Sequence, residues 1–184
     1  MKTLLCDLVT DIRMLFRVPV SAFFTVIFPS LMLIIMMTSY GNPDIGSGIR
    51  LSDKYILIAS GMGLAPLTLI TFPSWICSSV ESSYLLRLKY LHVSLARVAT
   101  SNALAHMVVA LCGTAVTLAV GVLFYDMRIP SLPALIAYLL QLVVVTASLM
   151  LFGAALAFIV RQTAVVIAVG LVLMFVVYML CGVF

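Results

Sequence analysis

Five long stretches without a charged residue dominate this sequence. They cover residues 18–43, 55–80, 98–125, 129–160 and 162–184. A bilayer core about 30 Å thick requires about 20 apolar residues in a helix, so each stretch is long enough to span it. Barrel strands would be about half as long and would alternate polar and apolar residues, which these stretches do not do. The sequence therefore predicts an all-α polytopic membrane protein.

The composition excludes most other classes of protein. Hydrophobic residues make up 65% of the chain and charged residues 9%, against about 45–50% and about 25% in soluble domains. Such a chain cannot form a soluble globule or a disordered segment. The sequence predicts one transmembrane domain over residues 1–184, and the bounds of its spans follow when the stretches are trimmed at prolines and polar clusters. Its predicted spans are 21–39, 55–78, 102–124, 132–160 and 163–184, the fourth being tilted or interrupted near Gly153.

The lysines and arginines predict the orientation of the spans. Seven fall before the first span, between the second and third, or between the fourth and fifth: Lys2, Arg13, Arg17, Arg87, Lys89, Arg97 and Arg161. The other connections carry three: Arg50, Lys54 and Arg128. Because cytoplasmic connections carry the excess of positive charge, the N-terminus is predicted to be cytoplasmic. The net charge of +4 then reflects topology rather than a nucleic-acid partner.

Residues 3–17 have the pattern of an amphipathic helix. When they are projected at 100° per residue, the apolar side chains fall on one arc: Leu4, Leu5, Leu8, Val9, Ile12, Leu15 and Phe16. Such a helix is predicted to lie flat in the headgroup region. The step from Val18 to Pro19 is expected to end it before the first span begins.

The longest polar connection, residues 81–101, combines charge with bulky apolar side chains. A helical stripe recurs at spacings of four, three and four, formed by Tyr84, Leu88, Leu91 and Leu95. Periodicity alone permits two interpretations. The stripe could enter a groove on a cytoplasmic partner, or the segment could lie on the headgroups with its bases near anionic lipid.

Residues 81–92, which read ESSYLLRLKYLH, directly follow the second predicted span. Glu81, Leu85, Leu88 and the basic Lys89 match the pattern E-x-G-T-L-x-x-L-R-x-T-P. Here the chain resembles the permease subunits of ABC-2 type transporters, in which an interfacial N-terminal helix precedes the first span and this motif follows the second. The resemblance extends in order along the whole chain. Its last residues, 180–184, resemble the start of the family's re-entrant segment.

The resemblance implies a transport subunit that is integral to the cytoplasmic membrane (inner or plasma), as expected in a bacterium, and is surrounded by membrane lipids. The implied cargo is a hydrophobic or amphiphilic small molecule, a lipid or a polysaccharide, exported by ATP hydrolysis on a separate ABC ATPase subunit. ATP and Mg are expected there, because this chain has no G-x-x-x-x-G-K-[ST] loop. A second permease copy or a paralogue would complete the transporter. The residues implied to couple to the ATPase are Glu81, Tyr84, Leu85, Arg87, Leu88, Lys89 and Leu91.

Other functions stay open at this point. The family's sixth span would be expected beyond residue 184, so a non-transport scaffold or an incomplete permease is kept as an alternative. A lipid-modifying membrane enzyme is a weaker one, because the six acidic residues are spread over four connections and form no catalytic constellation. An ion-coupled carrier would need a charged residue within a span, and the predicted spans have none. His106 is expected to be neutral and hydrogen-bonded. Glu81, at the membrane boundary, is expected to pair with a neighbouring base or to cap the short helix that follows it. No catalytic, cofactor-binding or metal-binding residue is predicted.

Overall fold

The computed structural model describes residues 2–17, 23–46, 49–125, 127 and 131–180. Within them, five helical segments are long and apolar enough to cross a membrane: Phe23–Tyr40, Leu51–Glu81, Leu95–Tyr125, Leu132–Val160 and Thr163–Leu180. We call these spans 1 to 5. The predicted class, a helical protein with several candidate spans, is therefore confirmed. The expected break at Val18 and Pro19 and the residues 181–184 lie outside the described residues.

The described residues form eight α-helices and two short strands. They are α1 (Lys2–Arg17), α2 (Phe28–Tyr40), β1 (Asp44–Gly46), β2 (Ile49–Arg50), α3 (Leu51–Pro66), α4 (Phe72–Glu81), α5 (Tyr84–Tyr90), α6 (Leu95–Tyr125), α7 (Leu132–Val160) and α8 (Thr163–Leu180). A π-helical turn, Phe23–Ile27, precedes α2 within span 1. A second, Leu67–Thr71, joins α3 to α4 within span 2. The two strands pair antiparallel, an element that the all-α prediction did not contain.

Hydrogen bonds between connections divide the helix ends into two groups. At one end, Asn42 donates to the carbonyl of Tyr125 at 3.0 Å and accepts the N–H of Ser52 at 3.1 Å. We call this the ribbon end, because β1 and β2 lie there. At the other end, Glu81 is bonded to Thr163. We call this the α5 end. Consecutive spans thus alternate in direction, as the predicted topology requires.

Span 2 lies at the centre of the bundle. In its most apolar window 67% of the residues are buried, against 22–33% in the other four spans. Its π-helical turn sits between two prolines that cannot donate a backbone N–H. Pro66 leaves the carbonyl of Met62 without its helical donor, and the hydroxyl of Tyr178 in α8 donates to that carbonyl at 2.6 Å. Span 2 is therefore tied to span 5 at the point where its helix is weakest.

Two glycines meet the carbonyl oxygens of the π-helical turn. A Cβ at Gly153 of α7 would lie 2.5 Å from the carbonyl oxygen of Thr68, and one at Gly170 of α8 would overlap that of Leu69. Pro73 lacks the N–H that would bond the Leu69 carbonyl in a regular helix. The N–H of Phe72, which would bond the Thr68 carbonyl there, donates to Leu67 instead. Helix α7 is continuous through Gly153, so this glycine provides close packing and not the interruption considered from the sequence.

Candidate functional site

Helix α5 is shorter than the predicted apolar stripe. It is bounded by two residues with left-handed backbone, Ser83 at φ 57° and His92 at φ 55°. The helix ends at Tyr90, and Leu91 lies exposed in the turn that follows. Leu95 already belongs to α6. The expected single stripe is therefore interrupted, and Leu91 and Leu95 do not continue the face of α5.

The predicted face of α5 borders a cleft and is partly covered, although Tyr84 is still 44% exposed. Tyr84 and Leu88 line a cleft whose other walls include Trp75 of α4 and Met14 of α1. Leu88 and Leu85 are half-buried. Helical projection grouped Tyr84 and Leu88 correctly on one face. It did not reveal that this face borders a cleft in the protein.

The opposite face of α5 carries the accessible apolar surface. Leu86 is 55% exposed and Tyr90, four residues later, is 81% exposed. Arg87 and Lys89 are also exposed, one on each side of this pair. We call these four residues the outer face of α5. The spacing between Leu86 and Tyr90 is itself a helical signal, but the stronger stripe concealed it.

Glu81 belongs to a different contact from the one predicted. It was expected to pair with a base of the segment or to cap the short helix. Instead its carboxylate accepts the backbone N–H of Thr163 at 2.8 Å and the Thr163 hydroxyl at 2.7 Å. Thr163 is the first residue of α8, where an acidic group interacts favourably with the helix dipole and the unpaired N–H groups. Glu81 thus joins the end of span 2 to the start of span 5.

Helix α1 runs lengthwise beside the beginning of α6. Asp7 pairs with Arg97 at 3.0 Å, and Asp11 accepts the hydroxyl of Ser101 at 2.7 Å. One turn further along both helices, Leu15 is buried against α6. These contacts advance by four residues on each helix, so α1 is aligned with α6 over several turns. A helix lying flat across the end of the bundle would touch α6 at one place only.

His106 is buried in span 3. Its Nδ1 lies 2.8 Å from the carbonyl oxygen of Asn102, and its ring meets Phe72 edge-on at 5.3 Å between centroids. The expected hydrogen bond is therefore present. Among the described residues, no three His, Cys, Asp or Glu side chains are grouped so that they could hold a metal ion.

Comparison with known proteins assigns no family to this arrangement: no family model matches the chain, and no curated protein or solved structure matches it.

Proposed function

We propose that this chain is the membrane-spanning subunit of an ATP-driven exporter of the ABC-2 type. It moves a hydrophobic or amphiphilic small molecule, a lipid or a polysaccharide outward, and a separate subunit binds and hydrolyses ATP. The observation that carries the proposal is the outer face of α5, an apolar pair flanked by two bases at the end of the most buried span. Such a helix fits an apolar groove with an acidic rim on a partner protein.

The positive charges support a cytoplasmic position for α5. Seven of the ten lysines and arginines precede span 1 or lie in the connections between spans 2 and 3 and between spans 4 and 5, which leave the bundle at the α5 end. An ATPase subunit would be found on the cytoplasmic side, where ATP is available. The positive-inside rule and the position of α5 therefore agree with the same orientation.

The contacts of α5 suggest how movement would reach the spans. Only two residues separate α5 from α4, and Glu81 at that junction is bonded to the start of α8. When the ATPase subunits close and displace α5, spans 2 and 5 move together. The transporter then switches between an inward-open and an outward-open state, a two-state change driven by the binding energy of ATP on the partner.

The proposal revises the residues that touch the partner. Leu86 and Tyr90 form the apolar contact, while Arg87 and Lys89 attract acidic groups around it. Leu85 and Leu88 support α5 from inside. Glu81 and Tyr84 position it. The complete transporter contains a second copy of this chain or a paralogue and lies in a cytoplasmic membrane.

Co-purification of ATP hydrolysis tests the proposal. The tagged chain is isolated from its native membrane in mild detergent, and nucleotide hydrolysis is measured in the eluate. We expect hydrolysis with the wild type, and its loss with Leu86→Asp and with Tyr90→Asp. Leu132→Asp is the matched control, because the exposure of Leu132, 71%, lies between those of Leu86 and Tyr90, whereas Leu132 lies at the ribbon end.

Two results would reject the coupling role. The wild type could isolate without any ATP hydrolysis, which would favour the scaffold alternative. The two α5 variants could also retain as much hydrolysis as Leu132→Asp, which would mean that the outer face is not the contact.

A further inference from the structure

A cleft of about 540 Å³ lies at the α5 end, between α1, α4, α5 and the start of α6. It lies where the spans leave the hydrocarbon region in the predicted topology. Apolar side chains, Met14 and Leu88 among them, form part of its wall, and hydroxyl and carboxylate groups form the rest. A cleft with both kinds of wall suits an amphiphile rather than a purely apolar molecule.

The cleft is acidic although its surroundings are basic. Among the described residues that line it, Arg97 is the one base, whereas Asp7 and Asp11 are both acidic. Arg97 is paired with Asp7, so Asp11 carries the charge that no base in the wall balances. One oxygen of Asp11 accepts the hydroxyl of Ser101, and the other accepts no hydrogen bond from a described residue. The wall is thus complementary to a cation.

Ser79 is the second indication of a ligand. It is only 5% exposed and lies in the wall of the cleft, yet its hydroxyl has no hydrogen-bond partner among the described residues. The hydroxyls of three nearby serines each donate to a carbonyl oxygen of span 2 three or four residues earlier in the chain. These serines are Ser74, Ser78 and Ser82. Because the Ser79 oxygen is reached from the cleft, a ligand there can take the place of water as its hydrogen-bond partner.

Two aromatic side chains complete the wall. Trp75, the one tryptophan of the chain, and Tyr84 both line the cleft. The faces of aromatic rings attract ammonium groups, most strongly where water is partly excluded. Carboxylates and aromatic rings together are the groups that recognise an organic ammonium ion.

We infer that this cleft binds the ammonium group of an amphiphile, with Asp11 and Trp75 as its main partners and Ser79 as a hydrogen-bonding group. Met14 and Leu88 contact the first part of the alkyl chain. The ammonium can come from an aminophospholipid of the surrounding bilayer or from an exogenous alkylamine. This inference does not depend on the proposed transport function, because binding requires no ATPase.

Trp75 fluorescence measures binding directly. The full chain is placed in nanodiscs of phosphatidylglycerol, which has no ammonium group, and dodecylamine is added. We expect a saturable change in Trp75 fluorescence that dodecanol does not produce. Asp11→Asn should weaken the apparent affinity about tenfold, since a charge-assisted contact is lost. Asp53→Asn, which removes the same charge at the ribbon end, should leave it unchanged.

Ser79→Ala keeps the test valid if Asp11→Asn disturbs the packing of α1. Removing a hydroxyl without a protein partner should leave the unfolding midpoint unchanged while weakening dodecylamine binding severalfold. The inference is overturned if the fluorescence change does not saturate, if dodecanol reproduces it, or if both Asp11→Asn and Ser79→Ala bind as the wild type does.

A second arm identifies the source of the ammonium. The titration is repeated in two nanodisc preparations of equal surface charge, in which half of the phosphatidylglycerol is replaced either by phosphatidylethanolamine or by digalactosyldiacylglycerol, an uncharged lipid without an ammonium group. Weaker apparent binding of dodecylamine in the phosphatidylethanolamine preparation would show competition, and would support the aminophospholipid as the natural occupant. Equal binding in the two preparations would support an exogenous alkylammonium ion. Each outcome supports an ammonium site, and the first arm alone can overturn it.

Discussion

The hydrogen bond between Tyr178 and Met62 predicts that the effect of Tyr178→Phe on stability depends on whether residue 66 is proline. Tyr178→Phe removes the hydroxyl that donates to the Met62 carbonyl at 2.6 Å and retains the ring. Pro66 prevents the backbone from replacing that donor, because proline has no N–H. Pro66→Ala supplies an N–H four residues after Met62, at the usual helical position. The tyrosine hydroxyl should therefore matter only while Pro66 is present.

The magnitude follows from burial and from the absence of an alternative donor. Hydrogen bonds between helices in membranes contribute about 0.6 kcal/mol on average and at most about 1.7 kcal/mol. Tyr178 is 6% exposed, and the carbonyl it serves has lost its helical donor, so we expect a value of about 1.5 kcal/mol. In the Pro66→Ala background the same substitution should cost about 0.5 kcal/mol. The coupling energy is then about 1 kcal/mol.

The free energy of unfolding in mixed micelles, titrated with sodium dodecyl sulfate, measures all four proteins of this cycle. Both substitutions change the side-chain volume only slightly, so the four unfolding transitions can be compared. The reasoning is refuted if Tyr178→Phe costs the same in both backgrounds, because Pro66 would then not be the reason why span 2 needs this hydroxyl.

Two further predictions concern the other contacts of span 2. Gly153→Ala should destabilise the protein by about 1–3 kcal/mol, because the added Cβ would lie 2.5 Å from the Thr68 carbonyl oxygen. Gly61→Ala is the control and should be close to neutral, because a Cβ there would have nothing within 4 Å. Equal unfolding midpoints for the two variants would contradict this packing. Glu81→Gln should speed amide hydrogen exchange at Thr163 and in the first turn of α8, because the anionic cap is lost. Hydrogen exchange followed by mass spectrometry measures this, and unchanged exchange there would show that the cap has no effect.

The positions of the spans could be predicted from the sequence because the solvent determines them. In a bilayer every backbone group needs a partner within its own helix, so length and lack of charge are sufficient signals. The fourth span, predicted at 132–160, is the helix Leu132–Val160. The predicted amphipathic segment 3–17 coincides with α1, Lys2–Arg17. Neither result required knowledge of tertiary contacts.

The orientation of side chains around α5 could not be predicted in the same way. Projection at 100° per residue places Tyr84 with Leu88 and Leu86 with Tyr90, but it does not say which pair meets the protein. That depends on the neighbouring α1, which provides the wall opposite Leu88. The role of Glu81 likewise depends on a partner 82 positions away, a distance over which no local pattern extends.

The interruption of span 2 could be predicted in part from the sequence. Pro66 and Pro73 are visible in the sequence and predict weakened helix geometry. Their partners are not visible there, because Gly153, Gly170 and Tyr178 meet the freed carbonyls only once three helices are packed. Glycine is common enough in membrane helices that its presence alone did not indicate these contacts.

The side of the membrane on which α5 lies is the central claim, and labelling of a cysteine at Ser94 tests it most directly. Ser94 is exposed in the turn between α5 and α6. In a background without native cysteines, Ser94→Cys in intact cells should not react with a membrane-impermeant maleimide until the membrane is opened. Ser131→Cys, exposed at the ribbon end, should react at once. Reaction of Ser94→Cys from outside intact cells would place α5 out of reach of any ATPase and contradict the proposed function.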